Sequence, residues 1–129
     1  MEDFKGFRMG DIVIEKVDIT RATYKEAGEL KKILKEDIKK GFKKIIVDLS
    51  MCEFMDSTFI GVLVLTLKEI GEVGGELRLV RPPSLAHTVL AGTRTLELFN
   101  VLDTVEQAIR SIQYMNKVHD RLEELESTT

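Results

Sequence analysis

A chain of 129 residues, 43% of them hydrophobic, is long enough to bury one core, so a single domain spanning 1–129 is expected. Its formal net charge of -3 argues against direct nucleic-acid binding, because that affinity depends largely on clustered lysine and arginine. The longest apolar run, 59–65, is far shorter than the roughly 20 residues that cross a bilayer. The first ten residues also lack the character of a signal peptide. A cytoplasmic protein without membrane contact is therefore expected.

The first third of the chain predicts a β-hairpin followed by a helix. Two strand-like pieces within residues 4–17 flank Gly10, where glycine allows the tight turn of a hairpin. A polar connection follows, and Thr23 and Glu26 then have the spacing of a capping box. Apolar residues recur at helical intervals from there. A helix is therefore predicted from about Tyr24 to a glycine stop at Gly41.

The middle of the chain predicts a strand, a helix and a second strand in close succession. The continuous apolar run 45–47 is typical of an interior parallel strand. A strongly apolar helix is predicted over roughly Thr58–Val73, and two glycines separate it from strand-like residues 76–80. Short links of this kind predict a right-handed βαβ unit.

The last third predicts a short helix, a short extended element and a long final helix. Ser84 is placed to cap a helix that reaches Leu90, and another short element follows around Asn100–Leu102. A second capping-box spacing opens the final helix, which is predicted from about 104 to 126. Its second half, from about Tyr114, either packs back onto the domain or projects and pairs with another chain, as in a homodimer.

Few residues are of a type and spacing that suggest a catalytic or metal-binding site. Asp56, Ser57 and Thr58 form a polar corner at the start of the apolar helix, where Asp56 or Ser57 would by local chemistry be its N-cap. A small hydrolase using Asp56 and Ser57 would need a base, a metal set or a phosphate loop, and the sequence offers none. The two histidines lie apart without ligand spacing. No catalytic residue, metal or cofactor is therefore expected.

A resemblance to a known family changes the interpretation of this corner. The run FMDSTFIGVLVL resembles the signature Phe-Met-Asp-Ser-Ser/Thr-Gly-Leu-Gly-Val of the bacterial anti-sigma factor antagonists, the family of STAS domains. Phe59 and Ile60 stand where that signature usually has Gly-Leu. Four other segments resemble the family in the same order: VDITRATYKEAGELKKIL, KKIIVDLS, GGELRLV and LELFNVLDTVEQAI.

The resemblance implies an α/β fold: a small mixed β-sheet with an N-terminal hairpin and central parallel strands, flanked by four to five helices. It also implies a non-enzymatic protein-binding module that is switched by phosphorylation. By this resemblance Ser57 is phosphorylated by an anti-sigma factor that is itself a serine kinase, and Asp56 and Thr58 flank the switch. The unphosphorylated form would bind the anti-sigma factor and free the sigma factor, and a phosphatase would reverse the modification.

The helix after the corner is the predicted docking surface. Ile60, Leu63, Val64, Leu67 and Ile70 are predicted to face inward, which leaves a second apolar face. This face is either a partner surface or covered by a neighbouring helix, and it contains Phe59, Val62 and Thr66. Asp18 is a further candidate contact in the first loop. A non-switching structural subunit of a larger signalling assembly, such as a stressosome-like scaffold, is the alternative function.

Overall fold

The structure is a computed structural model that describes residues 3–83 and 94–127. The strands are β1 (Phe4–Met9), β2 (Ile12–Val17), β3 (Arg21–Ala22), β4 (Lys44–Asp48), β5 (Phe54–Met55), β6 (Glu76–Val80) and β7 (Asn100–Leu102). The helices are α1 (Tyr24–Lys39), α2 (Ser57–Glu72) and α3 (Val105–Ser127), and a 3-10 helix covers Thr95–Leu98. Within the described ranges, no helix is both long and apolar enough to span a membrane.

The main sheet has five strands in the order β1-β2-β4-β6-β7. The β1–β2 hairpin is antiparallel, and every other pairing in this sheet is parallel. The predicted mixed sheet, hairpin and central strand are therefore confirmed, and β4, α2 and β6 form the predicted βαβ unit.

Helices cover both faces of this sheet. Side chains along each strand point alternately to one face and to the other, so neighbouring residues pack in different cores. In β4, Ile45 and Val47 pack in the larger core under α1 and α2. Ile46 points the other way and packs in the smaller core under α3, which contributes Ala108 and Ile112. A strand with both faces covered needs no polar alternation, which explains its continuous apolar run.

Several local elements differ from the prediction. The described ranges contain three α-helices rather than four or five, and the helix predicted over 84–90 lies outside them. The 3-10 helix and the two-residue strands β3 and β5 were not predicted. Two residues are too few to show a strand period, so only their hydrogen bonds reveal them.

The last helix is longer than the sheet it covers. At about 1.5 Å per residue, the 23 residues of α3 extend ~34 Å, whereas the five residues of β4 extend ~17 Å. The buried side chains of α3 end at Ile112, and Tyr114 beyond it is 66% exposed. We call residues 114–127 the overhang. Within the overhang, the side chains of Asn116 and Val118 are half-buried, and the other described side chains are exposed.

A buried acidic pair lies between the hairpin and α1. Glu15 and Asp37 are only 5% and 8% exposed, and one oxygen of Asp37 has no hydrogen-bond partner within the described ranges. Burial, followed by the hydrogen bond and the negative charge of Asp37, raises the pKa of Glu15 to about 8, and Lys40 opposes the shift. Burial beside Asp37 therefore favours the protonated form of Glu15 in the folded protein.

Candidate functional site

Two loops meet at one edge of the sheet because β2 and β4 are parallel and end on the same side. The carbonyl oxygen of Thr20 accepts hydrogen bonds from the amides of Glu53 and Phe54, at 2.9 and 3.0 Å. Strands β3 and β5 continue this contact as a small parallel sheet. The Arg21 guanidinium lies 4.4 Å from the centre of the Phe54 ring, a cation–π contact. The loops therefore support each other beneath the Asp-Ser-Thr corner.

Asp56 joins the N-termini of two helices. One carboxylate oxygen accepts a hydrogen bond from the amide of Phe59 at 2.9 Å and caps α2. The other accepts from the amide of Tyr24, the first residue of α1, at 2.7 Å. The backbone amide of Asp56 also donates to the Ala22 carbonyl at 3.0 Å. A single carboxylate therefore satisfies donors on both helices and fixes where the corner sits.

Ser57 is the first residue of α2, and its side chain is exposed. Since Asp56 supplies the cap, the Ser57 hydroxyl is not needed for it. Thr58 is exposed as well. The N-terminus of a helix carries a partial positive charge and favours anionic groups, so an added phosphate on Ser57 is compatible with this position.

Of the two alternatives for the second apolar face of α2, the covered one holds, and this face is not open to a partner. Phe59, Val62 and Thr66 are 0%, 8% and 4% exposed, so none is available to a partner in this conformation. Phe59 and Val62 belong to the larger core, and the Thr66 hydroxyl donates to the Val62 carbonyl at 2.8 Å, which satisfies its buried polar group. Val64, predicted to face inward, is instead 36% exposed.

The exposed face of α2 begins at Ser57. Ser57, Gly61, Val64 and Lys68 are all exposed, and their spacing of four, three and four residues places them on one side of the helix. Tyr24, 66% exposed, stands next to this face because its amide is bonded to Asp56. Sequence reasoning identified Ser57 but missed Gly61, Val64, Lys68 and Tyr24 as part of this surface. Beyond Ser57, the polar side chain of Lys68 is the signal that could have marked this face, since most other α2 positions are apolar.

The remaining predicted contact, Asp18, lies in the loop that follows β2. Its carboxylate forms an ion pair with Lys5 at 3.2 Å, and its amide donates to the Asp3 carbonyl at 2.7 Å. Its side chain is 30% exposed. The structure thus brings Asp18 to the same edge of the sheet as Ser57, where it is tied to the hairpin.

The cysteine, the described histidine and the potential metal ligands do not form a catalytic arrangement at this edge of the sheet in the described residues. Cys52 is buried, and desolvation together with the charge of Asp48 raises the pKa of its thiol to about 12, so a reactive thiolate does not form. His119 lies on the overhang beside the start of β4, at the opposite end of the sheet from Ser57. Across 3–83 and 94–127, no cluster of three or more potential metal ligands occurs.

Comparison with known sequences finds relatives over the part of the chain that contains this site. The STAS domain family model matches residues 21–108. A protein of Thermotoga neapolitana is 35% identical over 81 residues, which are 63% of this chain and 72% of that protein. A protein of Thermotoga maritima is 34% identical over 81 residues, with the same two shares. Both carry the provisional name of anti-sigma factor antagonist.

Solved structures show the same fold. The crystal structure of the Thermotoga maritima protein TM1081, provisionally described as an anti-sigma factor antagonist, has a TM-score of 0.77 at 30% identity, covering 85% of this chain and 94% of that one. The anti-sigma factor antagonist SpoIIAA in its unphosphorylated form has a TM-score of 0.69 at 18% identity, covering 85% and 97%, which shows the fold alone. Since the family model spans more than half of the sequence, the chain belongs to the STAS domain family, together with these anti-sigma factor antagonists.

Proposed function

We propose that the protein is an anti-sigma factor antagonist whose binding to an anti-sigma factor is switched by phosphorylation of Ser57. The observation that carries the proposal is the exposed Ser57 hydroxyl at the head of the exposed face of α2, with capping assigned to Asp56. In this role the chain is a binding protein rather than an enzyme. The anti-sigma factor would be the serine kinase, and a phosphatase would restore the binding form.

The physical basis of the switch is electrostatic. A phosphate on Ser57 adds about -1.5 to -2 charges beside the Asp56 carboxylate. The fold tolerates this charge because it lies at the N-terminus of α2, where the helix dipole favours anions. A docked partner would have to desolvate it, at a cost on the order of 2 to 4 kcal/mol, which weakens binding about 30- to 1000-fold. Binding is therefore lost without a large conformational change.

The docking surface of this proposal follows the exposed face of α2. Gly61 offers no side chain, so a partner backbone could approach the helix closely there. Val64 adds exposed apolar area one turn further on. The Tyr24 ring stands beside the corner, and exposed tyrosines are frequent anchors in protein interfaces. These residues replace Phe59, Val62 and Thr66 as the proposed contacts.

Phosphorylation is tested by incubation with the cognate serine kinase and ATP, followed by peptide mass mapping. One phosphate is expected on the wild-type peptide, with none on Ser57→Ala. Thr58→Ala is the matched control because it removes the adjacent exposed hydroxyl and should still be modified. A phosphate that persists in Ser57→Ala but disappears in Thr58→Ala would assign the switch to Thr58 and contradict the proposal.

Partner binding is tested by titrating the anti-sigma factor with unmodified variants. Ser57→Asp should bind at least about tenfold more weakly than wild type because it adds one charge at the switch. Ser57→Ala should bind normally. Val64→Asp should also weaken binding, whereas Val73→Asp, at the far end of α2 and similarly exposed, should not. Equal binding by Ser57→Asp and wild type would reject the electrostatic switch.

A self-associating subunit of a larger signalling assembly is the second candidate function. The observation that favours it is the apolar surface of the overhang, where Met115, Leu122 and Leu125 are all about half exposed. This surface lies at the other end of the sheet from Ser57, so self-association and partner binding are compatible.

A further inference from the structure

The exposed side of α1 carries a row of lysines. They line a shallow surface cavity of about 330 Å³ together with Gly28 and one acidic residue, Glu36. All of these residues are exposed. We call the four lysines the basic stripe: Lys31, Lys32, Lys35 and Lys39. At 1.5 Å per residue, the stripe extends ~12 Å along the helix.

Most of the charge of the basic stripe is not neutralised within the chain. The Lys35 ammonium lies 3.9 Å from a carboxylate oxygen of Glu69, which makes a loose ion pair. The other three lysines form no ion pair with any residue in the ranges that the structure describes. When Glu36 and Glu69 are both counted against the four lysines, the surface keeps a net charge of +2.

The charge of the whole chain is unevenly distributed. Residues 25–44 contain eight lysines and four acidic residues, a net charge of +4. The chain has 19 basic and 22 acidic residues in total, so the rest of it has 11 and 18, a net charge of -7. The basic stripe therefore lies in a basic segment of an otherwise acidic protein. A surface of this kind attracts a partner of opposite charge.

The basic stripe adjoins the exposed face of α2. At the N-termini of the two helices, the Tyr24 amide donates to Asp56. Three turns further along, Lys35 meets Glu69. The helices therefore run side by side in the same direction, and their exposed sides belong to one surface. A partner that docks at Ser57 and extends along α2 lies next to the stripe.

We propose that the anti-sigma factor binds the basic stripe through an acidic segment of its own while it engages the Ser57 end of α2. This inference rests on the proposed function and adds the chemistry of the partner surface. Attraction between the two charged surfaces speeds their association. A phosphate on Ser57 repels the acidic segment from the head of the same surface, which adds to the desolvation cost of the switch.

A protein segment fits this surface better than a nucleic acid or a membrane. A nucleic acid is long enough to meet the acidic remainder of the chain, where its phosphates are repelled. A membrane surface calls for apolar side chains beside the lysines, and the lining of this cavity consists of Gly28 and charged residues. An acidic segment of a protein can match the stripe over its ~12 Å and end there.

The first test is chemical crosslinking of the full chain bound to the anti-sigma factor. A carbodiimide joins amines to carboxylates that are in direct contact, and mass spectrometry identifies the joined peptides. Lysines of the basic stripe should be joined to aspartate or glutamate of the factor. Lys117 is the control, because it is exposed on α3 at the other face of the sheet and should not be joined. A complex without crosslinks from the stripe would overturn the proposal.

The second test is the binding kinetics of a charge-reversal variant. Lys32→Glu combined with Lys39→Glu should weaken binding of the anti-sigma factor about tenfold at about 0.1 M salt, mainly through slower association. The loss should shrink severalfold at about 0.5 M salt, because both lysines are exposed to screening. Lys117→Glu is the matched control and should bind like wild type. Circular dichroism establishes that each variant is folded. Equal binding by the double variant, or a loss that salt does not reduce, would overturn the proposal.

Failure of this inference and failure of the proposed function give different results. If Ser57→Asp weakens binding and the lysine variant does not, the switch stands and the acidic partner surface is refuted. If the lysine variant weakens binding and Ser57→Asp does not, the switch is refuted. A wild-type chain that does not bind the anti-sigma factor would refute both. Binding of duplex DNA or of phosphatidylserine vesicles that is lost in the lysine variant would assign the stripe to another polyanion and overturn the proposal.

Discussion

Replacing Asp56 should destabilise the protein through two helices at once. In Asp56→Ala, α2 loses its cap at Phe59, which costs about 1 kcal/mol. The exposed Tyr24 amide of α1 also loses a charged acceptor 2.7 Å away, at a cost of about 1 kcal/mol after allowance for solvent. The free energy of unfolding should therefore fall by about 2 kcal/mol, which lowers the melting temperature by roughly 7 °C for a chain of this size.

Urea and thermal unfolding, followed by circular dichroism, measure this loss. Asp56→Asn keeps one acceptor oxygen and should lose about half as much stability. Ser57→Ala is the matched control, and a change below about 0.5 kcal/mol is expected there because its side chain is exposed. An Asp56→Ala protein as stable as Ser57→Ala would refute the double role of this carboxylate.

The contributions of the two Asp56 hydrogen bonds to stability can be measured separately with the variant Tyr24→Pro. Tyr24 is the first residue of α1, where proline is well tolerated, and the extended backbone of Thr23 is compatible with a following proline. Proline removes the amide that donates to Asp56. In this background Asp56→Ala should cost about 1 kcal/mol, half its cost in the wild-type chain. An undiminished cost would show that the bond to α1 contributes nothing.

Three further predictions concern the core and the backbone. Because the pKa of Glu15 is raised to about 8 by burial and by Asp37, wild-type stability should fall as the pH rises from 5 to 8, by at most about 1.4 kcal/mol per pH unit. Glu15→Gln should flatten this profile in urea titrations, and an unchanged slope would exclude Glu15 as its source. Phe59→Ala should lower the free energy of unfolding by about 3 to 5 kcal/mol, and a loss below 1 kcal/mol would contradict its complete burial. Gly75→Ala should lower the free energy of unfolding, since the added methyl group would lie 2.5 Å from a backbone oxygen. In Gly61→Ala the methyl group meets no atom, so the free energy of unfolding should rise by up to about 1 kcal/mol. Equal melting temperatures of the two variants would refute this contrast.

Most of the fold could be predicted because its signals are local. The capping box at Thr23 and Glu26 is formed as expected, and α1 begins at Tyr24. The apolar run of β4 predicted an interior strand, and the sheet order places it there. The parallel pairing of β3 and β5 could not be predicted, because each strand has only two residues and shows no strand period.

The sequence located the polar corner of the candidate site, but it did not locate the exposed face of the helix that follows. The corner at 56–58 and the position of Ser57 were both identified from the sequence. The exposed face of α2 was placed incorrectly, because a helix that is apolar on nearly every side has no clear period to mark its buried face. Packing against α1 and the sheet buries Phe59 and exposes Val64.

The sequence by itself determined the order of the elements, the polar corner at 56–58 and the length of the last helix, because these depend on neighbouring residues. Only the tertiary structure decided that Asp56 also binds the first amide of α1. It likewise decided that α2 presents Val64 instead of Phe59, and that α3 extends beyond the sheet. Each of these depends on which segments share the core, and a linear sequence does not contain those distances.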